Sequence, residues 1–274
     1  MSSVPTTPPR FAQRDFRIGQ VISRALSVLS RNFLTFVAVT TVAYLPTLLV
    51  YRSVPTGAPF GPWSIGGPLV TILLIFLLSL LSQAIVLYGA FEDLRGRPVR
   101  LIESLRVALG RFLPIIGMVL VVILVVVLGF LLIGLLVQLL ATAIGPILTG
   151  ILVFLLVVGG LLYMLTVWFA GIPVCVVEGR GPVASLLRSA SLTKGHRWKI
   201  FGLGLLLVLA GVLIGTIGEY LLAAVAGNTA ALIGHVIWNG IWGAFFAIAV
   251  VVGYRDLRAA KEGIDIDQIA AVFD

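Results

Sequence analysis

Glu219 and His235 are the two ionisable side chains inside otherwise apolar stretches, and chemistry, if the chain performs any there, falls first to them. A charged group in lipid is costly, so it is retained for a partner, a proton or an ion path. Gly227-Asn228 reads as a turn. Glu219 stands nine residues before Asn228 and His235 seven after it. At about 1.5 Å rise per residue, both lie roughly 10 to 14 Å from the turn, at nearly equal depth. The spacing predicts a hydrogen bond across an antiparallel hairpin, with Asn239 one turn deeper on the histidine's face. The competing reading puts Glu219 in the outer headgroup layer and leaves His235 packed alone. Gln83 and Gln138 are the further neutral polar residues of the apolar runs. An ion-coupled pathway needs more acidic groups near the midplane than this set supplies.

A second set is basic. Arg17, Arg24, Arg106, Arg111, Arg188, Lys194, His196, Arg197 and Lys199 lie in polar segments beside apolar runs. There they are expected to meet anionic lipid headgroups. His196, flanked by Lys194, Arg197 and Lys199, could also contact a phosphate group. Enzyme signatures are absent: the sequence has no HExxH, no Gly-x-Ser-x-Gly and no P-loop. Two histidines furnish no zinc site without many carboxylates, and Asp265-x-Asp267 lacks further ligands at calcium-loop spacing. No catalytic residue, cofactor or metal is expected.

These residues need a scaffold, and composition names its class. Hydrophobic residues make up 60% and charged residues 11% of 274, against the roughly 25% charged that a soluble domain uses. Mean hydropathy is +1.16. The apolar excess arrives in runs longer than the ~20 residues that cross a hydrocarbon core as a helix. The expectation is an all-α, polytopic membrane bundle of six transmembrane helices. They run from about 33 to 51, 69 to 90, 112 to 140, 147 to 174, 200 to 225 and 230 to 254, arranged as three hairpins. Pro46 is expected to kink the first of them, since proline interrupts the helical ladder. Residues 1–13 read as a disordered tail, 14–258 as one integral-membrane domain, and 259–274 as a cytoplasmic tail. Residues 54–68 read as a Gly/Pro-rich linker that cannot be helical throughout. The first apolar run follows a long arginine-bearing stretch without a small-x-small site, so no cleavable signal is read.

Charge sets the orientation. The stretches 1–32, 91–111, 177–199 and 255–274 hold eighteen of the nineteen Lys and Arg residues, Arg52 being the exception. The positive-inside rule places these four stretches in the cytoplasm of a bacterium, with 57–67, 142–145 and 227–229 outside. The net charge of +8 is spread over them and forms no recognition helix, so nucleic acid is not expected. Cys175 is the only cysteine, which excludes an intrachain disulfide.

Each hairpin is preceded by a short amphipathic segment, as the stripe Ile18, Val21, Ile22, Ala25, Leu26 and Leu29 illustrates. Residues 22–36 align without gaps on 101–115, and 186–201 gives a third copy. A small residue precedes an aromatic by eight positions in each: Ala25 and Phe33, Ser104 and Phe112, Ala190 and Trp198. The repeats would be parallel, starting near 18, 97 and 183. In the fifth run Gly211-x-x-x-Gly215-x-x-Gly218 makes a smooth stripe that Gly240-x-x-Gly243 is expected to face.

The stretches ALSVLSRNFLTF, PVCVVEGRGPVASLLRSASLTKGHRWKIFGLGLLL and AVVVGYRDLRAAKEG resemble the bacterial glycerophosphoryl diester phosphodiesterase membrane domain family and the YciC-like inner-membrane proteins. The resemblance runs from about 15 to 263 and implies a multi-pass protein. It carries over no active site, because the phosphodiesterase barrel is missing. The leading expectation is a non-enzymatic inner-membrane protein that binds or organises lipids, anionic ones above all, or a membrane-protein partner. The alternatives are a permease or accessory transporter subunit and, third, a membrane enzyme acting on lipid phosphodiesters.

Overall fold

The computed structural model describes residues 16–48 and 62–262, and among them all regular structure is helical. The tail 1–13, most of the linker and the last twelve residues lie outside the described residues. In chain order the helices are α1 (Ile18–Arg31), α2 (Phe33–Tyr44), α3 (Pro62–Leu94), α4 (Leu101–Ile144), α5 (Pro146–Val167), α6 (Pro182–Thr193) and α7 (Arg197–Glu262). A turn, Gly171–Pro173, and a wide helical turn, Val174–Glu178, join α5 to α6.

Among the described residues, length and composition make four segments able to cross a membrane, Leu69–Leu94, Leu101–Ala141, Pro146–Glu178 and Arg197–Glu262, or five when the bent pair Ile18–Arg31 and Phe33–Tyr44 counts as one. Arg197–Glu262 is two helices in one. Gly227 takes φ 83°, ψ 171°, a conformation open to glycine but strained for other residues, and the chain reverses there. Gly145 does the same between α4 and α5 at φ 82°, ψ 161°. Single glycines thus close both later hairpins.

Three boundaries differ from those read in the sequence. The segment 101–110 is not separate from the run after it; α4 is continuous for 44 residues, with Pro114 inside. A glycine within a helix costs only about 1 kcal/mol, so Gly110 did not break it. The helix after the linker starts at Pro62, because proline suits a first turn whose N–H groups have no partner in any case. The fourth run stops being α-helical at Val167, seven residues early, and finishes in the turns above. Two features fall where they were read: α1 and α2 meet at 93° across Asn32, between the amphipathic segment and the first run, and that run breaks at Leu45-Pro46, where proline supplies no N–H. At about 1.5 Å per residue, the twelve residues of α2 reach only ~18 Å.

The packed core sits at one end of the molecule. Phe16, Phe36, Leu87, Ile115, Ile200, Leu203, Ile248, Tyr254 and Leu257 are all buried there. The apolar stripe of α1 is spent on this core: Val21, Ala25, Val28 and Leu29 are buried, mainly against α7, while Leu26 faces out. From this base the α4–α5 hairpin projects with large apolar side chains exposed from Leu120 to Leu139 and from Ile147 to Leu165.

The burial pattern of α6 shifts the third copy's register. Ser185, Ser189, Leu192 and Thr193 are buried, which sets Ser189, rather than Ala190, in the place that Ala25 holds in α1. The reason lies in the broken end of α5. Ser189 Oγ donates to the Val167 carbonyl at 2.8 Å and accepts from the Ala170 N–H at 3.1 Å, with Thr193 Oγ1 3.4 Å from the same carbonyl. Helix ends leave such groups without intrahelical partners, and buried they must find others.

Candidate functional site

The two halves of α7 run antiparallel from Gly227, and the contacts step outward in pairs. Leu222 lies against Gly234, Glu219 meets His235, and Gly215 lies under Trp238. His235 Nδ1 stands 2.6 Å from Glu219 Oε1, a hydrogen bond in which the imidazole N–H donates to the carboxylate. The two side chains are 38% and 35% exposed, so the pair lies at the hairpin's flank and not in its interior. Asn239 is on the histidine's helix one turn on, but its amide donates to the His235 carbonyl at 2.8 Å. It steadies the local backbone and does not join the pair.

The glycine stripe meets indoles instead of glycines. Trp242 covers Gly211 and Trp238 covers Gly215; the two rings stack at 5.4 Å, and Trp238 Nε1 donates to the Gly211 carbonyl at 3.2 Å. Gly218 has open space beside it. Gly240 and Gly243 turn toward α2, where Thr41 and Tyr44 lie against them and Thr40 Oγ1 donates to the Gly240 carbonyl at 2.6 Å. The expected glycine-to-glycine contact is therefore not made. Two large flat rings fill a groove that Cβ atoms would close, and the glycines of the return helix serve a different neighbour.

At the packed base the basic residues divide in two. Several are bound to the protein. Arg24 pairs with Asp256 at 2.8 Å, tying α1 to the end of α7. Arg188 bridges Glu178 and Glu262, and Glu262 also takes Arg258 at 2.8 Å. Glu178 further accepts from Arg180 at 2.7 Å and from the Tyr254 hydroxyl at 2.9 Å. Arg111 Nη1 donates to the Gly179 carbonyl at 3.2 Å. Arg197 donates to the Tyr163 hydroxyl at 2.8 Å and lies 4.9 Å from that ring's centre. His196 packs beside Phe16, with ring centres 6.3 Å apart, and Lys199 is half-buried. Arg17, Arg106 and Lys194 are exposed.

These pairings shift protonation. Burial pushes the Glu262 carboxyl up, but hydrogen bonds and charge from Arg188 and Arg258 outweigh it and hold the group below its ordinary value. The hydrogen bond to Glu262 is also what chiefly raises Arg188 and Arg258.

The acidic partners Asp93, Glu178, Asp256 and Glu262 escaped the sequence reading. Asp93 accepts from Arg31 at 2.6 Å and from Asn32 at 2.9 Å. A signal for them existed: ten of the eleven Asp and Glu residues lie in the four stretches that hold the arginines, Glu219 alone lying elsewhere. Among the described residues no three of His, Cys, Asp and Glu gather as metal ligands would.

No curated protein and no solved structure matches the chain. Nothing in these comparisons links it to the phosphodiesterase membrane-domain or YciC-like families that its motifs resemble. A family model does match, over residues 16–257 and hence most of the all-helical body just described, and the chain belongs to that family, DUF7847, a domain of unknown function.

Proposed function

We propose that the chain is a multi-pass protein of the bacterial inner membrane, without enzymatic activity of its own, that binds and organises lipids, anionic ones above all. The base faces the cytoplasm and the hairpins cross the bilayer. Six spans result when α7 counts as two and the first run, read in the sequence as about 33 to 51, counts as one. The observation that carries this reading is the division of the surface. Large apolar side chains lie exposed along the whole α4–α5 hairpin, while the arginines and lysines gather at the base. Exposed apolar area on this scale needs a lipid or protein cover. A basic rim beside it attracts anionic headgroups, each cation near the surface contributing about 1 kcal/mol.

Which cations serve follows from their partners. Arg111, Arg188 and Arg197 hold the fold together; Arg17, Arg106 and Lys194 are exposed and available to headgroups. Native mass spectrometry of the purified chain offered phosphatidylglycerol and phosphatidylcholine tests this. Preferential retention of phosphatidylglycerol, weakened in the Arg17→Gln, Arg106→Gln, Lys194→Gln triple variant, is expected. Equal retention of both lipids by the parent chain would contradict it.

A further inference from the structure

The charged turn between α3 and α4 borders a half-open cavity of about 270 Å³ lined chiefly by Tyr88, Glu92, Arg97, Arg100, Glu103 and Ser104. It is too small for a drug-sized ligand, whose pockets start at about 300 Å³, and suits a headgroup. Its lining carries two carboxylates and two guanidiniums, together with a phenol and a hydroxyl. A simple anion would face Glu92 and Glu103; a simple cation would face Arg97 and Arg100. A ligand with both charges meets neither penalty.

The charges are not equally committed. Glu92 is held by Arg95 at 3.2 Å and Arg97 at 3.3 Å, and its side chain is 13% exposed. Glu103 is only loosely paired: Arg100 stands 4.0 Å away, beyond hydrogen-bond reach, and both side chains are at least half exposed. Glu103 thus keeps acceptor capacity for an ammonium. Arg97 and Arg100, with five N–H donors each, keep donors for a phosphate. Ser104 points the same way. It is 2% exposed and occupies the small-residue position of its amphipathic segment, where α1 has Ala25. In α6 the serine at that position caps a helix end; here Ser104 is one of the residues that line the cavity.

We propose that this cavity seats a phosphoethanolamine group, with its primary ammonium on Glu103 beside the Tyr88 ring and its phosphodiester on Arg97 and Arg100. This rests on the lipid-contact reading above, which puts the cavity at headgroup level. A trimethylammonium has no N–H to give to Glu103 and would find a single aromatic ring in place of a cage. The group could come from phosphatidylethanolamine or from its soluble glycerol ester, and the test separates them.

The full chain in mild detergent is offered phosphatidylethanolamine and phosphatidylcholine with identical acyl chains, and retention is read by native mass spectrometry. About tenfold preference for phosphatidylethanolamine is expected, the scale of one charge-assisted hydrogen bond. Glu103→Gln and Arg100→Gln alter exposed side chains, so the fold survives; Glu103→Gln should bring the ratio close to one, whereas Arg100→Gln, which removes a phosphodiester donor common to both lipids, should lower retention of both and leave the ratio standing. Phosphatidylglycerol retention should persist in both variants; its loss from the parent chain would sink the wider lipid reading on separate grounds. Parity between the two zwitterionic lipids in the parent, a preference unchanged in Glu103→Gln, or undiminished retention of both lipids in Arg100→Gln overturns the cavity assignment. Glycerophosphoethanolamine added at millimolar concentration should displace the lipid if the soluble ester is the natural occupant. Failure to displace a retained phosphatidylethanolamine assigns the cavity to the membrane lipid.

Discussion

Substituting Glu219 and His235 singly and together measures what holds the last hairpin shut. The pair is short, 2.6 Å, and joins an imidazole to a carboxylate. In a buried soluble site such a bond contributes roughly 1.5 to 3 kcal/mol. Both side chains here are over a third exposed, which lowers that figure. Polar pairs between membrane helices average about 0.6 kcal/mol by double-mutant cycle, with a maximum near 1.7. A coupling of about 1 kcal/mol is therefore expected between Glu219→Gln and His235→Ala, read from denaturant unfolding in detergent. Each single variant should lose roughly 1 to 2 kcal/mol, and the double variant clearly less than their sum. Asn239→Ala should add independently, because its amide bonds to a backbone carbonyl and not to the pair. Additivity of Glu219 and His235 within about 0.3 kcal/mol would refute the contact, since touching residues couple and separate ones do not.

Other perturbations follow from the base and the glycine groove. Glu262 is held below the ordinary carboxylate range, so its contribution to stability is complete above that range and is lost as pH falls through its depressed value. Glu262→Gln should remove that acid limb from a stability-against-pH curve and cost about 1 kcal/mol at neutral pH. A Cβ on Gly211 would overlap Trp242, whereas one on Gly218 meets open space. Gly211→Ala should therefore destabilise by about 1 to 3 kcal/mol, while Gly218→Ala should be neutral or stabilising, both read by thermal unfolding. Ser189→Ala strips the α5 terminus of a buried donor and acceptor, and a loss of about 1 to 3 kcal/mol is expected in the same assay.

What could be read in the sequence was local or set by a turn. The Glu219–His235 contact was legible because both residues are counted from one glycine, and a helix converts that count into depth. The amphipathic stripe of α1 was legible from its period. The ionic contacts of the base were not, because they join distant residues such as Arg24 and Asp256, and helical spacing says nothing of which ends meet. The stripe's partner was missed for the same reason: a run of apolar residues beside Arg17 and Arg24 reads equally as a lipid-facing or a protein-facing helix. The sequence reading set Ala190 at the small-residue position of 186–201, whereas Ser189 is the residue buried at the spacing that α1 shows for Ala25; both are small. Only the carbonyl left bare by the end of α5 distinguishes them, because it calls for a hydroxyl.

In the proposed topology the base lies in the cytoplasm and the hairpin tips lie across the bilayer. Cys175, the one cysteine, is buried, so new cysteines can be labelled against a quiet background. Intact cells carrying Asn228→Cys or Lys194→Cys are treated with a membrane-impermeant maleimide. Labelling is expected at position 228 in intact cells and at position 194 only after the membrane is permeabilised. Labelling at 194 in intact cells, with 228 silent until permeabilisation, would contradict this topology.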